Sequence, residues 1–251
     1  MKRNLPHEIE PLKALQEFTS ARIALGRVGT SVPLKQSLDF KLAHAHARDA
    51  VYSELNVSHL TEVLKQFELP VLHLQSSVDD RRQYLQRPDL GRKLNDASLE
   101  QLANYSLKTD IAVIIADGLS ATAINHNTLG LLKELIPICV ASGFKFAPIS
   151  LVEQGRVAIS DPIGYHLKAK LSLMLIGERP GLSSADSLGV YLTYGPKPGL
   201  TDERRNCVSN IRPKGLSYKK AAKKIHYLIS EAFKRKLSGV DLKDNAGLIE
   251  S

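Results

Sequence analysis

With 251 residues, of which 43% are hydrophobic and 24% charged, the chain has the balance of one large or two small globular domains and not of a disordered polymer. Lys and Arg number 34 against 26 Asp and Glu, and the resulting net charge of +8 favours an anionic partner without choosing among nucleic acid, a phosphorylated ligand and an acidic protein. No apolar run approaches the roughly 18 residues of a membrane span, two cysteines cannot build a disulfide framework or a Cys-based zinc site, and the absence of Trp argues against a base-stacking platform.

The first hundred residues read as helices. Leu12, Leu15, Phe18 and Ile23 recur at near-helical spacing and stop at Gly26-Arg27-Val28-Gly29. Thr30-Ser31 offers an N-cap with Pro33 in the opening turn, and Leu34, Leu38, Leu42, Ala45 and Val51 then hold one face of a helix to about Leu55. Ser58 to Phe67, Asp79 to Tyr84, and a segment restarting at Asn95 complete a helical part, expected over residues 1–105.

The period changes at Thr109-Asp110. Ile111-Ala112-Val113-Ile114-Ile115-Ala116 is continuously apolar, as a strand covered on both faces should be. Asp117-Gly118 turns the chain, and Ser120 caps a helix that ends near Ser142-Gly143. Phe146 to Val152, Leu171 to Ile176 and Leu188 to Tyr194 are further strands. Pro148 argues for an edge or an interrupted ladder in the first of these, and the short link from Gly177 to Ser187 for an antiparallel strand or an extended loop. Ser217 opens a last helix with Ala221, Ile225, Leu228, Ile229, Ala232 and Phe233 inward and its lysines outward. The alternation predicts an α/β fold, a Rossmann-like doubly wound sheet over residues 106–251.

Ligands of such sheets sit beyond the carboxyl ends of the parallel strands, where three glycine-bearing loops fall: Asp117 to Ser120, Glu153 to Val157 and Gly177 to Gly181. The first lacks Gly-x-Gly-x-x-Gly, which disfavours nicotinamide chemistry, and Asp117, with no companion carboxylate at Leu119, is read as bonding its own turn. His44 and His46 are two apart, the wrong spacing for paired ligands on a helix. Arg204 and Arg205 stand where they lower the pKa of Cys207, although a buried, inert thiol is the default. The basic helix from Ser217 to Lys236 raises a rival reading, a polyanion-binding module with no enzymatic role.

Read together, the motifs go further. Ala21-Arg22-Ile23-Ala24-Leu25-Gly26-Arg27, His46-Ala47-Arg48-Asp49-Ala50-Val51, Arg87-Pro88-Asp89-Leu90-Gly91-Arg92, Val152-Glu153-Gln154-Gly155-Arg156-Val157-Ala158, Gly177-Glu178-Arg179-Pro180-Gly181-Leu182-Ser183-Ser184 and Arg205-Asn206-Cys207-Val208-Ser209-Asn210 resemble, in order and spacing, the small-subunit family of ethanolamine ammonia-lyase. The resemblance runs from about Ala21 to Lys243, and Ser160 departs from it where a glycine is expected.

The resemblance implies a non-autonomous subunit of an adenosylcobalamin-dependent ammonia-lyase that converts ethanolamine to acetaldehyde and ammonia. Its large-subunit partner, a (β/α)8 (TIM) barrel, holds ethanolamine and the catalytic residues. The small subunit helps to clamp the cobalamin through Val157 (by its backbone amide), Glu178 and Cys207, and supplies no catalytic residue and no metal ligand of its own. No Asp-x-His-x-x-Gly motif exists, so the cofactor is expected to keep its own base on cobalt. No nucleic-acid or membrane partner is expected. The expected location is the cytoplasm, with the interior of a bacterial microcompartment as the family's variant. Longer members carry an N-terminal segment associated with encapsulation, and this chain has little before Leu12.

Overall fold

The computed structural model describes residues 13–19, 21–105 and 108–243. Leu12, the first position of the expected N-terminal helix, lies outside them. The remainder of that segment forms only a 3-10 turn, Lys13–Glu17, in which Leu15 is exposed, followed by non-helical chain in which Phe18 is exposed. Among the described residues nothing buries their apolar side chains, and an isolated helix so short is marginal without a surface to pack on. The cap expected at Thr30-Ser31 is also absent. Val28 and Ser31 exchange backbone hydrogen bonds around Gly29 (φ +61°), and helix α1 (Leu34–Val51) starts behind Pro33 with no side-chain cap.

Helix α2 (Val57–Leu64) is capped by Asn56, which accepts from the His59 N–H, and a strand, β1 (Val71–Gln75), follows. A helical reading of the first hundred residues does not contain this strand. Helices α3 (Arg81–Gln86) and α4 (Asp96–Ala103) are capped by Asp80 and Asn95 and lead to strand β2 (Thr109–Ala116). Ser120 caps α5 (Ala121–Ala141) by accepting from the Ala123 N–H. Then come β3 (Ile149–Glu153), α6 (Ser160–His166), β4 (Ala169–Gly177), β5 (Leu188–Tyr194), β6 (Asn206–Ile211) and α7 (Tyr218–Arg235). Ser217 precedes α7 as foreseen, but its side chain makes no capping bond.

The architecture is mixed α/β, with a six-stranded sheet ordered β1-β3-β2-β4-β5-β6. The first four strands in that order are parallel, and β5 and β6 are antiparallel. β3 is therefore internal, not an edge. Pro148 instead interrupts its ladder with β2: Phe146 bridges Ile111, and regular pairing with β2 resumes only at Ser150.

Alternation along the central strands sorts side chains onto two faces. Ile111, Val113, Ile115, Leu171, Leu173 and Leu175 meet α2, α5 and α7 on one face. Ala112, Ile114, Ala116, Met174 and Ile176 meet residues of α4 and α6 on the other. With helices on both faces, the free ground for a ligand is the end of the sheet where β2, β3 and β4 terminate.

Candidate functional site

The three glycine-bearing loops meet at this end. Gly177 sits directly against the turn after β2, and a Cβ there would stand 2.0 Å from the Ser120 carbonyl oxygen and 2.5 Å from that of Asp117. Across the contact the Leu119 N–H donates to the Gly177 carbonyl at 2.9 Å. Two β-loops can approach this closely only where one contributes no side chain.

Asp117 joins the second pair of loops. Its Oδ1 accepts from the backbone N–H groups of Gly118 (2.9 Å) and Gly155 (3.1 Å), and its Oδ2 from Gln154 N–H (3.1 Å) and Arg81 Nη1 (3.4 Å). Its role thus extends past its own turn to fixing the path of Gln154–Val157. Burial pushes its carboxyl up to about 6, against the pull of Arg81 and of the three backbone donors. Tyr84 completes the support. Its hydroxyl donates to the Gly155 carbonyl at 3.1 Å, and its ring carries the Arg81 guanidinium at 4.5 Å and that of Arg156 at 4.0 Å.

Two adjoining cavities open here. One, of about 470 Å³, is lined by Tyr84, Leu119, Val157, Ile176, Glu178 and Tyr191 among others. The second, of about 390 Å³, is lined by Pro88, Arg92, Ala158, Asp202, Arg205 and Cys207, and shares Arg156, Val157 and Tyr191 with the first. Val157, Glu178 and Cys207 therefore stand along one continuous cleft. Val157 is the first residue of a 3-10 turn, a position whose N–H has no intrahelical acceptor. Glu178 accepts the Ser187 hydroxyl and the Asn210 N–H through Oε2, and among the described residues none donates to Oε1.

Cys207 corrects its expectation twice. It is exposed, because β6 is an edge strand, and the thiol is pushed up, not down. Desolvation raises it and Glu178 adds to this, while the neighbouring Tyr191 hydroxyl pulls the other way. Arg205 does not lower it, because its guanidinium is committed to Asp161 and to the carbonyl of Thr201. The thiol is thus neutral at physiological pH. Arg156 belongs to the loop already singled out from Glu153 to Val157, whereas Tyr84 and Tyr191 carry no sequence signal of their own, being brought in from α3 and mid-β5 by the tertiary fold.

Neither cavity is lined by a histidine. His226 of α7 contacts the hydroxyl of Ser142, at the end of α5, at 2.8 Å. On the rival surface, Lys219, Lys220, Lys223, Lys234 and Lys236 are exposed, and Glu231 pairs with Lys234 and Arg235. No described helix is long and apolar enough to cross a membrane.

Fold and cleft define a class: an α/β chain presenting an open ligand wall at the carboxyl ends of parallel strands, with a charged and apolar lining. Comparison with known proteins narrows it. The family Ethanolamine ammonia-lyase light chain (EutC) matches residues 9–243. The chain is 52% identical over 250 residues to the ethanolamine ammonia-lyase small subunit of Pseudomonas putida (strain W619), covering 98% of this chain and 92% of that one. It is 52% identical over 240 residues to the small subunit of Pseudomonas aeruginosa (strain LESB58), covering 94% and 88%. The chain belongs to the ethanolamine ammonia-lyase light chain family.

Proposed function

We propose that this chain is the small subunit of an adenosylcobalamin-dependent ethanolamine ammonia-lyase, and that its cleft is one wall of the cobalamin site, with the large subunit as the other. The observation that carries the reading is the convergence of Val157, Glu178 and Cys207, from three separate loops and strands, on one cleft built of two cavities with a common border.

The lining suits the group. A corrin has broad apolar faces and a rim of amides. Leu119, Val157, Ile176 and Tyr191 offer apolar surface, while the Val157 N–H and Glu178 Oε1 offer a donor and an acceptor to rim amides. Arg156 Nε is buried without a protein partner beside both cavities, as expected of a wall completed by something else.

When bound, the cofactor supplies a carbon radical by cleavage of its cobalt–carbon bond. The tasks left to this chain are holding and excluding. Glu178 and the Val157 amide fix orientation, the neutral Cys207 fills space without competing for cobalt, and the apolar lining keeps water from one face. In this reading residues 106–251 are the Rossmann-like, cofactor-facing part. Residues 1–105 form the other part and lend Tyr84, Pro88 and Arg92 to the cleft rim.

Co-expression with the large subunit, followed by an ethanolamine deamination assay, tests the proposal. Acetaldehyde release that requires adenosylcobalamin and both chains is expected. Full activity of the large subunit alone, or a complex whose cobalamin cross-links elsewhere than residues 157, 178 and 207, overturns it.

A further inference from the structure

The most exposed apolar surface of the molecule lies at the start of the chain, away from any core. On α1, Leu34, Leu38 and Leu42 are 73%, 54% and 57% exposed and recur at every fourth residue. They form one stripe about 12 Å long at 1.5 Å per residue. Phe18 (84%), Val28 and Val32 extend it along the preceding arm. The three leucines are thus left uncovered, Phe40 is exposed on the other side of the helix, and of all of α1 only Ala50, near its end, is buried.

We propose that this stripe is the docking surface for the large subunit. The inference rests on the reading of the chain as a small subunit and goes beyond the cobalamin site. Two observations choose this occupant.

The first is continuity with the cleft. Arg22 of the arm donates to the Leu182 carbonyl at 3.4 Å, and Leu182, itself exposed, follows Glu178 and Arg179 in the loop that borders the first cavity. At the other end of α1, Arg81, which also holds Asp117 at the cleft floor, donates to the Val51 carbonyl at 2.7 Å. The arm before α1 and the C-terminal end of α1 are therefore each tied to the surroundings of the cleft, and a partner that closes the cleft meets this surface.

The second is charge. Residues 21–52 carry Arg22, Arg27, Lys35, Lys41 and Arg48 against Asp39 and Asp49. A second copy pairing by a twofold axis would set this cationic rim against itself. The fitting partner has an apolar patch rimmed by carboxylates.

The test uses the full chain co-expressed with the large subunit, without cobalamin, so that assembly is read apart from cofactor binding. Leu38→Glu with Leu42→Glu is expected to weaken co-purification at least 100-fold, while the isolated full chain keeps its circular dichroism, melting temperature and monomeric mass. Undiminished assembly of the double variant overturns the proposal. So does an isolated wild-type dimer that the double variant dissociates, which identifies a second copy as the occupant. A large fall in the melting temperature of the isolated variant overturns it as well, since the stripe would then be covered within the chain.

Discussion

The carboxylate of Glu178 accepts the backbone N–H of Asn210 at 3.1 Å, and through the same oxygen it takes the Ser187 hydroxyl. One side chain at the end of β4 therefore pins the start of β5 and the end of β6. Asn210 has a φ of +59°, a left-handed conformation that asparagine adopts more readily than other non-glycine residues. Glu178 also lines the first cavity, and among the described residues none donates to its second oxygen.

Replacing Glu178 tests both halves of this arrangement. Glu178→Ala is expected to weaken cobalamin retention by the assembled enzyme roughly 10- to 100-fold, the scale of one hydrogen bond to a charged group. The ethanolamine affinity of the large subunit is expected to change little. Glu178→Gln, which keeps an acceptor of the same reach, is expected to recover part of the loss. Equilibrium dialysis of the cofactor against each complex reads the difference, and equal retention by all three removes Glu178 from the site.

Gly177 makes a sharper structural prediction. A Cβ there meets the carbonyl oxygens of Ser120 and Asp117, which are backbone atoms unable to swing aside. Gly177→Ala is expected to destabilise the chain by about 3 kcal/mol as the turn after β2 is pushed out. Gly199→Ala is the control. Its φ of +88° is unfavourable for alanine, but no atom lies within 4 Å of the added carbon, so a cost of roughly 1–2 kcal/mol is expected. Urea midpoints of the two variants check the order, and equal midpoints refute the close-packing account.

These positions also mark how far the sequence could be read. β5, Leu188–Tyr194, is legible at both bounds because its run is apolar and covered, and β2 and β4 are legible for the same reason. β1 and β6 are not. They are the two edge strands, and His73, Gln75, Cys207, Ser209 and Asn210 put polar or small side chains where solvent meets the sheet, so no apolar run marks them. α1 was legible as a helix from the four-residue spacing of Leu34, Leu38 and Leu42, which marks a stripe and not whether this chain covers it.

The site divides in the same way. The three loops could be placed from turn residues after apolar runs, since glycine and Asp-Gly have local causes. Tyr84 and Tyr191 have none, because their meaning comes from Gly155 and Cys207, far off in the chain. The direction of the Cys207 shift was misread for a related reason. Adjacent arginines in sequence do not act on a thiol when one of them is bound to an aspartate from another element.

That aspartate supports a third prediction. The Asp161 and Arg205 side chains are both 2% exposed and pair beneath the second cavity, yet Asp161 Oδ1 and Arg205 Nε lack partners. Among the described residues, Asp161→Ala leaves the buried guanidinium with only the exposed Asp202 carboxylate, at 3.4 Å, as a counter-charge, and is expected to cost about 3 kcal/mol. Because the pair is incompletely satisfied, Asp161→Ala combined with Arg205→Met is expected to cost less than the single change. Chemical denaturation of the single and double variants measures this, and strict additivity contradicts it.

Asp117 ties stability to pH in an unusual direction for a carboxylate. Burial lifts its pKa from 3.8 to about 6 in the folded chain, so between these values the native state holds a proton that the unfolded state has released. Stability contributed by this group therefore rises as pH falls from about 6 to about 4 and is absent above that window. The full effect is roughly 2–3 kcal/mol, from about 1.4 kcal/mol for each pKa unit. Asp117→Asn removes the titration while keeping Oδ1 as an acceptor for Gly118 and Gly155. The stability of the wild type minus that of the variant, from urea midpoints at pH 7 and pH 4, is expected to shift toward the wild type on acidification. A shift the other way means that Arg81 and the three backbone donors outweigh burial, and that the carboxylate is held in its charged form beneath the cleft.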